Sequence, residues 1–249
     1  RDFERVAVRE KLARADARTL DDLRQRQTQW ARTRASLSVR VARIIGAYVS
    51  EVSPGLLLIS AELAHERDHE AAAEALRICF ALAGGSTKMI DFERAHSMLS
   101  NLARGEPFRM TASRALLDRR KQGLFVLREK RDVADPDLAS GYFDNRFVIP
   151  EVFRTKLYGT HFTLPDQRVF ADANLCDIPE SLRRQAISLR PQTVAKLIER
   201  DGAGRQITGY ARRLLNPWPR RVPLFDLPCA SALAHLAGEP EFPPAPCSL

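Results

Sequence analysis

The segment from Phe108 to Glu129, FRMTASRALLDRRKQGLFVLRE, decides the architecture. Phe108 to Thr111, Arg114 to Asp118 and Leu124 to Leu127 are runs too short for helices. Lys121-Gln122-Gly123, between the last two, reads as a hairpin loop, so the segment predicts a small sheet. Upstream the period is helical. From Asp2 to about Val52, Leu23, Trp30, Leu37, Val41, Ile44, Ile45 and Tyr48 recur at helical spacing, with Thr19 and Asp22 as an N-terminal capping signature. Arg24, Arg26, Arg32 and Arg34 fall mostly off that stripe, and Pro54-Gly55 ends it. Leu56 to Ile59 is expected to be extended, after which Ser60 caps a second helix through Leu63, Leu76, Ile78, Phe80 and Leu82. Gly84-Gly85 stops it as a left-handed C-cap. Asp91 caps a third helix carrying Phe92, Ala95, Met98, Leu99 and Leu102, closed by Gly105 and Pro107.

Downstream, Asp144-Asn145 between Phe143 and Phe147 is a turn signal, since Asn tolerates the left-handed conformation. A helix is expected from about Glu180 through Ile198 despite Pro191, and Pro217, Pro219, Pro223, Pro228 and the tail from Pro240 predict an irregular or extended end. The fold class is therefore α+β, an N-terminal helical region followed by a small mixed α/β C-terminal region. The expected division is a helical middle or linker domain over 1–105, a small β-rich, hairpin-containing domain over 106–158 and a C-terminal α+β region over 159–249. No internal repeat is visible.

The 249 residues are 45% hydrophobic, enough for a sizeable core, and no apolar run approaches the roughly 18 residues of a membrane span. No membrane partner is expected. Cys79, Cys176, Cys229 and Cys247 form no Cys-x-x-Cys pair, which points to a reducing, cytoplasmic setting without structural zinc. The chain opens on a charged amphipathic segment instead of a signal peptide and reads as the remainder of a longer protein. Its net charge of +8 is unevenly placed. Residues 1–43 hold 12 basic and 6 acidic side chains, 104–131 hold 9 and 3, and 183–221 hold 10 and 2. Those stretches together carry +20, leaving −12 for the remainder. Such segmentation suits a polyanion, although each stretch alone also reads as a solvated helix face.

His65-Glu66-Arg67-Asp68-His69 spells the H-E-x-x-H of zinc peptidases, in which two histidines one helical turn apart hold the metal. Arg67, Asp68 and Glu70 would bring charges into the metal's dry shell, and a third ligand would have to come from Glu93 or His96, so the exposed polar face of a helix is the favoured reading. Ala83-Gly84-Gly85-Ser86-Thr87 follows a helix, where carbonyls and not N–H groups are free, the wrong polarity for a phosphate loop. No nucleophile elbow, Walker or Rossmann spelling occurs. No metal site and no cofactor site are expected in this chain.

The opening Arg1-Asp2-Phe3-Glu4-Arg5-Val6-Ala7-Val8-Arg9 resembles the segment that closes the catalytic domain of the tRNA(Ile)-lysidine synthase family. Ala75-Leu76-Arg77 through Ala83-Gly84-Gly85 resembles that family's alanine- and leucine-rich helix ending in a double glycine, and Asp91 to Leu102 the helix after it. Arg119 to Glu129 is similar to its basic hairpin with a closing Arg-Glu pair, and Phe143-Asp144-Asn145-Arg146-Phe147 stands where the family writes Trp-Asp-Gly-Arg-Phe. The order and spacing agree over roughly residues 1–150. Asn145 departs from a glycine and Phe143 from a tryptophan, the stretch after Pro150 matches little, and the family's Ser-Gly-Gly-x-Asp-Ser motif is absent.

The resemblance implies the post-catalytic portion of an enzyme that ligates free lysine to the wobble cytidine of tRNA(Ile), using ATP and magnesium in a domain before Arg1. It implies no catalytic residue in this chain, which alone would be inactive, and a role in gripping tRNA. The candidate nucleic-acid contacts are Arg5 and Arg9, one helical turn apart, Arg119, Arg120 and Lys121 on the hairpin, and Arg212 and Arg213. Arg220-Arg221 extends the last patch, and Trp218 offers a stacking surface, although core burial is its favoured role. A homodimeric assembly is left open. A nonenzymatic nucleic-acid-binding protein would share the charge layout, and a zinc hydrolase would need metal at His65 and His69.

Overall fold

The computed structural model describes residues 2–53, 55–129, 131, 141–148, 161–162, 179–182, 196–200, 206–210, 212–218, 221–240 and 242–243. Helix α1 (Asp2–Ala13) leads into α2 (Ala17–Tyr48), which passes directly into strand β1 (Val49–Ser53). The cap of α2 is Asp16, whose carboxylate accepts from the Thr19 backbone N–H, in place of the expected Thr19 and Asp22 signature. At 32 residues α2 is about 48 Å long. Its buried side chains, Leu37, Ser38, Val41, Ile44 and Ile45, all lie in its second half. Leu23 and Trp30, expected on the apolar stripe, are exposed, Trp30 at 71%. The helical period there continues past the last packing partner among the described residues.

Strand β2 (Leu56–Ser60) follows, and Ser60 caps a 3₁₀ turn (Ala61–His65) instead of the long helix expected from it. Helix α3 (His69–Gly84) starts at its own cap, Asp68, which accepts from the Ala71 backbone N–H. Almost every residue of α3 from Ala71 onward is buried, as an alanine-rich helix apolar on all sides must be. It ends as the sequence predicts, with Gly85 at φ 67° and the Ser86 N–H reaching back to the Ala81 carbonyl. Helix α4 (Phe92–Arg104) has the expected Asp91 cap and Gly105 stop and buries Ala95, Met98, Leu99 and Leu102.

Strands β3 (Arg109–Ala112), β4 (Ala115–Arg120) and β5 (Gly123–Arg128) match the three predicted runs. With β1 and β2 they form one antiparallel sheet in the order β1-β2-β5-β4-β3. Leu57, Ile59, Leu117, Leu124 and Val126 face the helices and share a core with α2, α3 and α4. The alternate residues, Leu56, Leu116, Phe125 and Leu127, form a second cluster with Leu182 on the opposite face. A short hairpin of β6 (Tyr142–Phe143) and β7 (Phe147–Val148) carries the predicted turn, with Asp144 and Asn145 both left-handed.

Strand β8 (His161–Phe162), β9 (Lys196–Arg200) and β10 (Gln206–Tyr210) make a second sheet, and β11 (Arg212–Arg213) pairs with β7. The helix expected from Glu180 through Ile198 is corrected at its far end. Residues 180–182 are helical, but Leu197 and Ile198 pair across to Gly209 and Thr208. The β-branched Ile198 and the Ile-, Thr- and Tyr-bearing partner strand favour pairing over a helical face. The remainder of that segment lies outside the described residues. The Pro-rich end is also more regular than expected. Helix α5 (Leu227–Leu236) begins with Pro228 in its first turn, where the missing N–H is no loss.

Helix α5 returns to α2, burying Cys229, Leu233 and Ala234 in the same core, with the Cys229 backbone N–H donating to Ser38 Oγ. Beside this joint Arg34 donates to buried Glu74 at 2.6 Å and to Asp226 at 2.7 Å. Arg77 completes the Glu74 pair and lies over the Phe92 ring. Among the described residues no helix is long and apolar enough to cross a membrane.

Candidate nucleic-acid interface

The hairpin of β4 and β5 does not present its three cations alike. In a strand, alternate side chains face opposite ways, so Arg119 follows Ala115 and Leu117 toward the helices. It is 5% exposed, with Nη1 at 3.5 Å from the Gly123 carbonyl. Arg120 turns to the other face and pairs with buried Asp118, Nε to Oδ1 at 2.5 Å, while Arg109 stands 3.7 Å from the same carboxylate. Lys121 is exposed at the turn. Near the turn end of the hairpin, Phe108, Arg109, Asp118, Arg119 and Arg120 line an open recess of about 210 Å³. The Arg119 Nε has no hydrogen-bond partner among the described residues.

The other candidates are carried by other elements. Arg9 is exposed on α1, and Arg5 is on the same helix with its side chain outside the described residues. Arg212 opens β11 and its side chain is likewise outside them. Arg213 is committed internally. Its guanidinium donates to Glu51 Oε1 at 2.6 Å and its backbone N–H to Glu239 Oε1 at 2.8 Å, tying β11 to β1 and to the chain beyond α5. Trp218 is partly buried against the main core, the role favoured for it.

A cluster that sequence reading did not single out lies around Asp144. Arg128, 1% exposed, places Nε at 2.8 Å from Oδ2 and Nη2 at 3.0 Å from Oδ1, a bidentate fork. Arg146 Nε reaches Oδ2 at 2.6 Å and Arg114 Nη2 reaches Oδ1 at 2.7 Å. Three guanidiniums therefore converge on one buried carboxylate. Burial, the largest influence on Asp144, pushes its pKa up, but the hydrogen bonds and charges of Arg128 and Arg146 outweigh it and hold the carboxyl below its ordinary value. Burial draws Arg146 down to about 10 against the pull of Asp144, which leaves it charged at neutral pH.

The surplus of cation is partly met by carbonyls. Arg128 Nη1 donates to the carbonyls of Arg114, Glu129 and Arg131, and Arg114 Nη1 to that of Gly85 at the negative end of α3. The cluster thus joins the end of α3, the β3–β4 turn, the end of β5 and the β6–β7 hairpin. The signal was present in the Arg-Glu pair closing the basic hairpin and in the Asp-Asn-Arg turn, but nothing local says that residues 114, 128, 144 and 146 meet.

The Gly84-Gly85-Ser86 turn does not fit a nucleoside triphosphate with its metal. The Gly85 N–H turns back to Ala81 and Leu82, the Ser86 N–H to Ala81 and the Lys88 N–H to Ser86 Oγ, so no row of N–H groups is left for phosphates. The zinc reading meets a similar obstacle. His65 ends the 3₁₀ turn and His69 begins α3, so the two are not successive on one helix. Glu66 and Asp68 are engaged by Arg43, Tyr48 and Arg40.

Fold and site define a class, an α+β protein with helices against an antiparallel sheet and with arginine-rich surfaces and joints. Over 98% of its length the chain is similar to two tRNA(Ile)-lysidine synthases, whereas its sequence motifs anticipated the likeness over roughly residues 1–150 alone. It is 30% identical over 251 residues to the tRNA(Ile)-lysidine synthase of Mesorhizobium japonicum, covering 54% of that protein. It is 30% identical over 263 residues to the one of Rhizobium meliloti, covering 52%. The chain spans about half the length of these curated relatives. No family model matches it, and neither does any solved structure.

Proposed function

We propose that this chain is the tRNA-binding, post-catalytic portion of a tRNA(Ile)-lysidine synthase, which works in the cytoplasm. In the whole protein, ATP, magnesium and lysine are handled by a catalytic domain outside this chain, and the present residues hold tRNA(Ile). The observation that carries the reading is the cationic recess at the β4–β5 hairpin. Arg119 keeps a buried donor without a partner among the described residues, with Arg109 and Arg120 beside it and Lys121 at the turn. A phosphate oxygen entering there meets three guanidiniums against the single carboxylate of Asp118, and backbone phosphates position an RNA without reading its bases.

The test is tRNA binding by the Arg119→Met and Lys121→Ala double variant over a salt series. Methionine keeps an apolar stem in the buried position. Affinity at low salt should fall by about 1 to 2 kcal/mol, and the slope of log K against log salt should shrink by roughly 1.5 to 2. The loss should be similar for cognate and noncognate tRNA. Unchanged affinity and slope would return the hairpin to an ordinary solvated turn.

A further inference from the structure

A second cavity, of about 490 Å³, opens where the turn after α3 meets the β6–β7 hairpin and the chain following β11. It lies within the size range of pockets that take small molecules. Four features of its wall are chemically distinct. Lys88 is exposed and its ammonium has no partner among the described residues. Arg114 adds a second positive charge while anchored to Asp144. Tyr142, 39% exposed, contributes an aromatic ring. Asn216 is wholly buried, and its Nδ2 donates to the Asn145 carbonyl at 2.8 Å, which fixes the amide. Its Oδ1 is thereby left as a buried acceptor without a partner among the described residues. With no surface open to the cavity, Asn216 holds the wall in place and offers no contact to a ligand.

We infer that this cavity holds a single ribonucleotide of a bound RNA, with its phosphate at Lys88 and Arg114 and its base against Tyr142. Cations alone would fit any small anion. The exposed Tyr142 ring beside them favours a ligand that joins the anion to a flat ring system. Side chains supply the charge, because the backbone N–H groups of Gly85, Ser86 and Lys88 are already engaged. The choice of RNA as the source of the nucleotide rests on the proposed function, whereas the nucleotide chemistry rests on the cavity.

Calorimetric titration of the chain with CMP, dCMP and inorganic phosphate tests this. CMP should bind with a dissociation constant of about 1 mM or below, and phosphate should bind at least about tenfold more weakly. Lys88→Ala and Tyr142→Ala, both exposed positions, should each weaken CMP by about fivefold or more without loss of cooperative unfolding. dCMP should bind within about threefold of CMP, because the contacts are to phosphate and base. Bound tRNA should compete with CMP, which separates a nucleotide of RNA from a free metabolite. Phosphate binding as tight as CMP, indifference to Lys88→Ala and Tyr142→Ala, CMP binding that tRNA leaves untouched, or no binding up to about 10 mM would overturn it. The hairpin double variant should retain CMP binding. CMP failing while hairpin salt dependence stands removes only this inference, and the reverse result removes only the hairpin reading.

Discussion

At the scale of single residues, the double glycine that ends α3 performs two different tasks. A Cβ on Gly84 would sit 1.8 Å from the Ser113 carbonyl oxygen, so the helix end and the β3–β4 turn touch backbone to backbone. Gly85 takes the left-handed conformation, and a Cβ there would lie 2.4 Å from Arg146 Cγ. Gly84→Ala should therefore destabilise the fold by at least about 2 to 3 kcal/mol in urea unfolding, since the neighbour is backbone and cannot swing aside. Gly46, within α2, has nothing within 4 Å of a built Cβ, and Gly46→Ala should stabilise by about 0.5 to 1 kcal/mol. Opposite signs for one chemical change test whether packing, not helix propensity, sets the Gly84 position. Asp144 sets a pH dependence. Its folded pKa is depressed, so the stability it contributes is complete above the unfolded value of about 3.9 and is lost as pH falls from there through the folded value. Acid unfolding followed by circular dichroism should show that loss, and Asp144→Asn should flatten the profile in this window while destabilising the protein at neutral pH, because three guanidiniums would lose their anion.

At the scale of elements, legibility in the sequence follows how local the cause is. The stops at Gly85 and Gly105 and the cap at Asp91 depend on one residue and its immediate neighbours, and they were readable. The three strand runs were readable for the same reason, but their partner was not. Leu57 pairs with Val126 across an intervening pair of helices, and no local spelling announces that register. Ser60 and Asp68 show a competition that periodicity alone does not decide. Both are good caps, and the chain uses both, with a 3₁₀ turn between them, so the apolar pattern from Leu63 to Leu82 spans two elements. The inward turn of Arg119 was available from strand alternation once Leu117 is set toward the core, whereas the ring of arginines on Asp144 required four separate elements to be placed first.

At the scale of the whole molecule, the uneven charge separates into two uses. Some arginines are structural joints, as Arg34 is between α2, α3 and the turn before α5, and Arg213 between β11 and β1. Other cations border cavities or solvent, at Lys88, Lys121 and the hairpin recess. Binding a nucleotide in such surroundings differs from activating one. Phosphoryl and adenylyl transfer with magnesium needs carboxylates to hold the ion and donors arranged along the phosphates. Among the described residues lining the larger cavity there is no carboxylate, and the nearby Asp144 is enclosed by three guanidiniums. The chain by itself should therefore give ATP–pyrophosphate exchange at background in the presence of magnesium, tRNA and lysine, even at CMP concentrations that fill the cavity. A preparation carrying Lys88→Ala serves as the control, since it should weaken nucleotide binding and leave that background unchanged. Exchange above background that co-purifies with the chain and disappears in the Lys88→Ala protein would place adenylation chemistry in this cavity and overturn the assignment of catalysis to a domain outside it.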